Sequence, residues 1–357
     1  MTKIFDPITL GDYQLHNRVI MAPMTRGRAE ANAIPGKLMV EYYAARADAG
    51  LIITEATAIS PKGQGWVNAP GIWNDDQAKG WLAVTDAVHA KGGRIFLQLW
   101  HMGRVSHPDF LDGAIPVAPS AIAATGEAHT PLGKKPYVTP RALSVDEIKD
   151  IVADYANAAK RAIAAGFDGI EVHGANGYLI DQFIRDESNQ RDDTYGGSID
   201  NRLRFLTEVT SAVAEAVGAG KVGVRLSPKS QYNDMNDSDP VATFTRAAEL
   251  LNPLKLAYLH ILEALPGHMM AAAGERVTPH IRKIYQGMLI TNGGYTKDLA
   301  TNALETNEAD AVAFGVPYIA NPDLVLRFKQ DAKLNIPDFA TLYTPGAKGY
   351  TDYAMMA

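Results

Sequence analysis

The chain has no cysteine among its 357 residues. That absence excludes disulfides, thiolate nucleophiles, cysteine-ligated zinc, iron–sulfur clusters and cysteinyl-linked cofactors. No run of about 20 apolar residues is present, so no transmembrane helix is expected. The first residues, MTKIFDPITLGDYQLHNR, lack the apolar core of a signal peptide. Positive charge is not in excess: the net charge is −6 and the isoelectric point about 5.9. This argues against a nucleic-acid or membrane partner, which would call for a basic patch. A cytoplasmic protein is the default expectation. A Gly-x-Gly-x-x-Gly turn after the first apolar run is also missing, which weighs against a dinucleotide-binding open sheet. No repeat and no shift of composition divides the chain, so residues 1–357 are expected to form one domain.

What is present is a hydrophobic content of 46%, ample for a large core. Eight apolar runs, at 19–24, 51–56, 94–99, 169–172, 222–226, 258–262, 288–291 and 311–314, alternate with helical spacing. The helical segments are 35–49, 75–91, 144–165, 198–217, 239–251, 278–285 and 296–306, with a final helix at 322–329. Strands apolar on both faces suit a parallel sheet. Eight such units predict a closed (β/α)8 barrel, with a doubly wound open sheet as the alternative. Residues 1–17 predict a small hairpin covering one end. Residues 102–141, rich in Pro, Gly, Ala and Thr, predict a long loop or small subdomain after the third strand.

In a barrel the chemistry sits at the carboxyl ends of the strands. Thr25, Gln98, Trp100, His173, Asn176, Tyr178 and Arg225 all fall there. His173, Asn176 and Tyr178 are separated by Gly174 and Gly177, and glycine permits tight backbone paths. An imidazole, a carboxamide and a phenol could thus share one small volume. They offer hydrogen bonds to a substrate oxygen, and the phenol can also give up a proton. A single histidine at a strand end is ordinarily structural; three polar side chains bunched there point to a site. Gly293, Gly294 and Gly315 follow the seventh and eighth strands, where barrels commonly bind phosphate; a plain turn is the alternative for the glycine pair. A metal-dependent barrel hydrolase could instead use His173 with nearby carboxylates.

The segment HGANGYLIDQFIRDESNQRDDTYGGSIDNR, with MAPMTRGRA before it, LQLWHMGR between them and FGVPYIANPDL late, resembles the Old Yellow Enzyme family. These are NADH:flavin oxidoreductases, FMN-dependent ene-reductases on a (β/α)8 barrel. The resemblance implies non-covalent FMN and NADPH or NADH as reductant. It implies ping-pong reduction of activated alkenes: α,β-unsaturated aldehydes, ketones, imides and nitroalkenes. Pro23, Met24 and Thr25 would lie along the flavin ring, with Ala56 or its neighbour Thr57 backing it, Gln98 at its pyrimidine edge and Arg225 beside its negative charge. Gly293, Gly294, Gly315 and Val316 would meet the phosphate end. His173 and Asn176, the His/Asn branch of the family, would hold the substrate oxygen, with Tyr178 as proton donor. His173 is then the one anchor that could titrate near neutral pH. Trp66, Trp100 and Tyr343 would line the substrate pocket. The family usually reads Phe-Gly-Arg where this chain has Phe314, Gly315 and Val316, so the arginine charge is missing. A nitrate-ester or nitro-compound reductase of the same fold is the alternative activity, and a monomer or homodimer is expected.

Overall fold

Each of the eight apolar runs forms a strand in the computed structural model, which describes residues 3–268 and 271–356. They are β1 (Val19–Met21), β2 (Leu51–Ile53), β3 (Ile95–Trp100), β4 (Gly169–Gly174), β5 (Val222–Leu226), β6 (Tyr258–Leu262), β7 (Leu289–Asn292) and β8 (Ala311–Phe314). All neighbours are parallel, and β8 pairs back onto β1. The ring is therefore closed, which decides against the open sheet. Closure leaves no edge strand to template aggregation.

The helices lie outside: α1 (Lys37–Ala44), α2 (Asp75–His89), α3 (Val145–Ala164), α4 (Leu179–Ile184), α5 (Ile199–Arg202), α6 (Arg204–Val217), α7 (Pro240–Leu251), α8 (Thr278–Ile284), α9 (Lys297–Glu305), α10 (Val316–Ala320) and α11 (Leu324–Lys329). Ser144 and Glu147 form the expected capping box on α3, each side chain bonded to the other's backbone N–H. The helix expected over 198–217 divides at Leu203 into α5 and α6. Two short helices were not anticipated: α4, inside the motif that follows β4, and α10, begun by Gly315 with Pro317 in its first turn.

The lower barrel is filled by Ile20, Ile53, Phe96, Tyr258 and Ile290. Leu10 and Leu15 of the antiparallel hairpin Ile8–Leu10/Tyr13–Leu15 pack onto the same cluster. Tyr13 meets Phe96 edge-on, ring centres 6.2 Å apart. The predicted hairpin thus plugs the amino-terminal end. The segment after β3 is a small subdomain: Glu127–Thr130 pairs antiparallel with Gly133–Pro136, and Val117–Ala118 pairs parallel with Arg141–Ala142.

Strand register brings the polar side chains together. His173 lies beside Arg225, Arg225 beside His260, and Glu171 beside Gln98. No helix of the described residues is long and apolar enough to cross a membrane.

Candidate active site

A cavity of about 390 Å³ opens at the carboxyl ends of the strands. It gathers every residue expected at the site except Gly293 and Gly294. Pro23, Met24 and Thr25 enter from the end of β1, Ala56 from beyond β2, Gln98 and Trp100 from β3. His173, Asn176 and Tyr178 enter from β4 and its loop, Arg225 from β5, Gly315 and Val316 from beyond β8. Trp66 and Tyr343 close the rim, edge to face with ring centres 5.1 Å apart.

The loop after β4 is held by its backbone. The Asn176 N–H donates to Ser227 Oγ at 2.8 Å, and its carbonyl accepts from Asn233 Nδ2 at 2.8 Å. Asn176 sits at φ +59°, a left-handed conformation that Asn adopts more readily than most residues. Gly177 follows at φ +73°, where a Cβ would come 2.6 Å from Met235 Cγ; only glycine fits. Its N–H donates to Asp181 Oδ2 at 2.8 Å. Asp181 is in turn paired with Arg185, 2.9 Å away, both buried. Arg185 reaches back to the Ser227 carbonyl. One buried carboxylate and one serine after β5 therefore set the direction of the Asn176–Tyr178 turn.

Tyr178 packs edge to face against Trp100 and His173, at 4.8 and 4.9 Å. Burial, with the nearby phenols of Tyr232, Tyr137 and Tyr343, holds its own phenol well above the ordinary value, so it keeps its proton at neutral pH. His173 behaves differently from the sequence expectation. Burial, then the positive charge of Arg225, pushes it well below the ordinary value. It stands as a neutral imidazole at pH 7, a hydrogen-bond donor rather than a cation.

Beneath these groups lies a network the sequence did not reveal. Glu171 accepts from Gln98 Nε2 at 2.7 Å, from the Tyr258 hydroxyl at 3.1 Å, and lies 2.9 Å from His260 Nδ1. A carboxylate only accepts, so it takes the NH₂ of Gln98 and leaves the amide oxygen as an acceptor. Arg225 donates to Asn292 Oδ1 at 2.9 Å, and Asn292 donates to the Ala313 carbonyl at 2.7 Å. Arg225 forms no salt bridge among the described residues. Arg225 Nε, His173 Nδ1 and Trp100 Nε1 are buried with no hydrogen-bond partner there. Unpaired buried polar groups cost about 1–3 kcal/mol each. Their clustering around one cavity fits a polar planar ring such as a flavin.

The ends of β7 and β8 are arranged otherwise. Val316 is 52% exposed and carries no charge. Gly293 lines an adjoining cavity of about 600 Å³ that shares Tyr232 and Leu262 with the first. At φ +129° its missing Cβ would sit 2.6 Å from the Glu263 carbonyl oxygen.

The family model described as NADH:flavin oxidoreductase / NADH oxidase matches residues 3–335. The structure superposes on the old yellow enzyme homologue of Zymomonas mobilis with a TM-score of 0.97 at 48% identity, covering 99% of this chain and 100% of that one. It superposes on morphinone reductase in complex with tetrahydroNAD with a TM-score of 0.95 at 48% identity, covering 100% and 98%. A probable flavin mononucleotide-dependent alkene reductase of Leishmania infantum is 46% identical over 356 residues, covering 98% of this chain and 96% of that protein. The chain belongs to the NADH:flavin oxidoreductase / NADH oxidase family. It is an oxidoreductase of the Old Yellow Enzyme type, which sets aside the barrel hydrolase.

Within this family frame, the motifs located the cavity but not what supports it. Arg26 lines the cavity, and its buried guanidinium donates to the carbonyls of Leu342 and Gly349, at 3.3 and 2.6 Å. Arg28 donates to Thr341 at 2.8 Å. Together they clasp the late segment that carries Tyr343. The signal in the sequence was the Arg-Gly-Arg spacing, which puts two arginines next to a strand end without naming their partners some 300 residues on.

Proposed function

We propose that this chain is an FMN-dependent, NAD(P)H-driven reductase of activated carbon–carbon double bonds. The observation that carries the reading is the convergence of His173, Asn176 and a protonated Tyr178 on the cavity that Arg225 also enters. The similarity to the flavin mononucleotide-dependent alkene reductase of Leishmania and to morphinone reductase in complex with tetrahydroNAD supports FMN and a nicotinamide reductant. When bound, FMN supplies the hydride chemistry that no side chain here can perform.

The chain's own part is holding, polarising and protonating. Pro23, Met24, Thr25 and Ala56 would hold the flavin ring, and the Gln98 amide oxygen would accept from its pyrimidine edge. Arg225, a buried cation, stabilises negative charge there; one aligned charge in a dry site is worth several kcal/mol. His173 and Asn176 donate to the substrate's carbonyl or nitro oxygen. Because His173 is neutral, it polarises that oxygen without itself losing charge, so its contribution is insensitive to pH across the neutral range. Tyr178 delivers the proton to carbon. Trp66, Trp100 and Tyr343 shape the pocket and exclude water.

The absorbance spectrum of the purified protein tests this. With FMN it shows a protein-bound flavin, bleached anaerobically by NADH or NADPH and restored by 2-cyclohexenone. A protein that stays colourless after FMN is added, or a bleached flavin that the enone leaves bleached, contradicts the reading.

A further inference from the structure

Strand register builds a polar layer one pleat below the cavity. Glu171 on β4 stands between Gln98 on β3 and Gly223 on β5, and Gly223 lies beside Tyr258 on β6. Of these four only Gln98 lines the cavity. Gly223 leaves its place in the layer empty, and a Cβ there would come 2.2 Å from the Tyr258 ring. The gap lets the Tyr258 hydroxyl cross to Glu171.

The Glu171 carboxylate is buried and pinned. Its Oε2 accepts from the Tyr258 hydroxyl at 3.1 Å and lies 2.9 Å from His260 Nδ1. Burial holds His260 below its ordinary value, so the ring is neutral, and the carboxylate places its one proton on Nδ1. Oε1 is left for Gln98 Nε2, at 2.7 Å. A carboxylate cannot donate, so the Gln98 amide has one permitted orientation: NH₂ down, oxygen towards the cavity. Against a hydroxyl or another amide it could turn over. We propose that Glu171 is a positioning residue that locks the Gln98 amide oxygen towards the cavity, so that the site selects a ring bearing an N–H donor at that edge. This rests on the FMN reading above, in which the donor is the imide N–H between the two carbonyls of the pyrimidine ring. Glu171 touches no ligand and acts through Gln98.

The test reads selectivity rather than turnover. Full-length protein stripped of flavin is titrated with FMN and with 3-methyl-FMN, whose imide N–H is replaced by N–CH₃, following quenching of flavin fluorescence. The wild type should favour FMN. Glu171→Met removes the acceptor and should shrink that preference by about tenfold, the size of one hydrogen bond. Glu171→Gln keeps the volume but can show Gln98 either an oxygen or an NH₂, and should shrink the preference by about threefold; it carries the test if the methionine variant does not fold. Gln98→Leu should shrink the preference as much as Glu171→Met, and the double variant no further, because the two side chains act as one unit. Glu171 variants that weaken both flavins equally, or neither, or additive losses in the double variant, overturn the inference. Wild-type protein that binds neither flavin overturns the FMN reading itself, a distinct result.

Discussion

At the end of β4 the backbone that aims Asn176 and Tyr178 is tied down by Ser227, Asn233 and the buried Asp181–Arg185 pair. At the ends of β7 and β8 the chain offers a glycine pair and an exposed, uncharged Val316. In the proposed reading the first region places reacting atoms, and misplacement there would cost rate steeply. In the FMN reading the second region has only to hold an anion, for which backbone N–H groups suffice. On that reading the contrast predicts where this chain tolerates change: charge at the ends of β7 and β8 more readily than geometry at the end of β4.

Four substitutions probe that contrast. The largest effect is expected at the reacting end: His173→Leu should lower kcat/KM for 2-cyclohexenone by roughly 10²–10³-fold, as for loss of an oxyanion donor, with flavin affinity nearly unchanged. Steady-state kinetics beside a flavin titration decide it; equal losses in both would mean that His173 supports the flavin rather than the substrate. Next, Asp181→Ala leaves Arg185 buried and unpaired, which costs about 3–5 kcal/mol. Urea unfolding measures this, and a loss below about 1 kcal/mol would show that the turn does not depend on the pair.

Glu55, between the two ends, accepts from the Arg26 and Gly27 N–H groups and from the Tyr43 hydroxyl. Burial raises its carboxyl from an ordinary 4.5 to about 7. Because the folded state holds the proton more tightly than the unfolded chain, the stability it contributes is full below about 4.5. That stability is lost as pH rises towards about 7. Relative to Glu55→Gln, the wild type should lose up to about 3 kcal/mol over that window. Unfolding curves for both proteins at several pH values check it, and parallel pH profiles would refute it. The smallest effect is Val316→Arg, which should tighten FMN by about tenfold at most and leave riboflavin alone. A gain for riboflavin too would place residue 316 against the ring instead.

The barrel was legible in the sequence because its strands are apolar on both faces and each ends at a glycine or polar cluster. The three groups at the end of β4 and in its loop were legible as a cluster because they lie within six residues. What escaped is long-range. Arg225 and Asn292 are 67 residues apart, and Glu171 and His260 are 89. The arginines after β1 meet carbonyls more than 300 residues away. No local pattern records such pairings. The expectation that His173 titrates near neutrality failed for the same reason: its burial and the adjacent Arg225 are products of the closed ring. The short α10 was missed because Gly315 and Pro317 are ordinarily helix breakers; here the glycine stands at the N-cap position and the proline in the first turn.

The most direct measurement separates the two half-reactions in Tyr178→Phe by anaerobic stopped-flow absorbance. Flavin reduction by the nicotinamide should proceed near the wild-type rate, while reoxidation by 2-cyclohexenone should slow by roughly 10²–10⁴-fold, the range for loss of a general acid. Equal slowing of both steps, or no slowing of the second, would contradict the assignment of Tyr178 as proton donor.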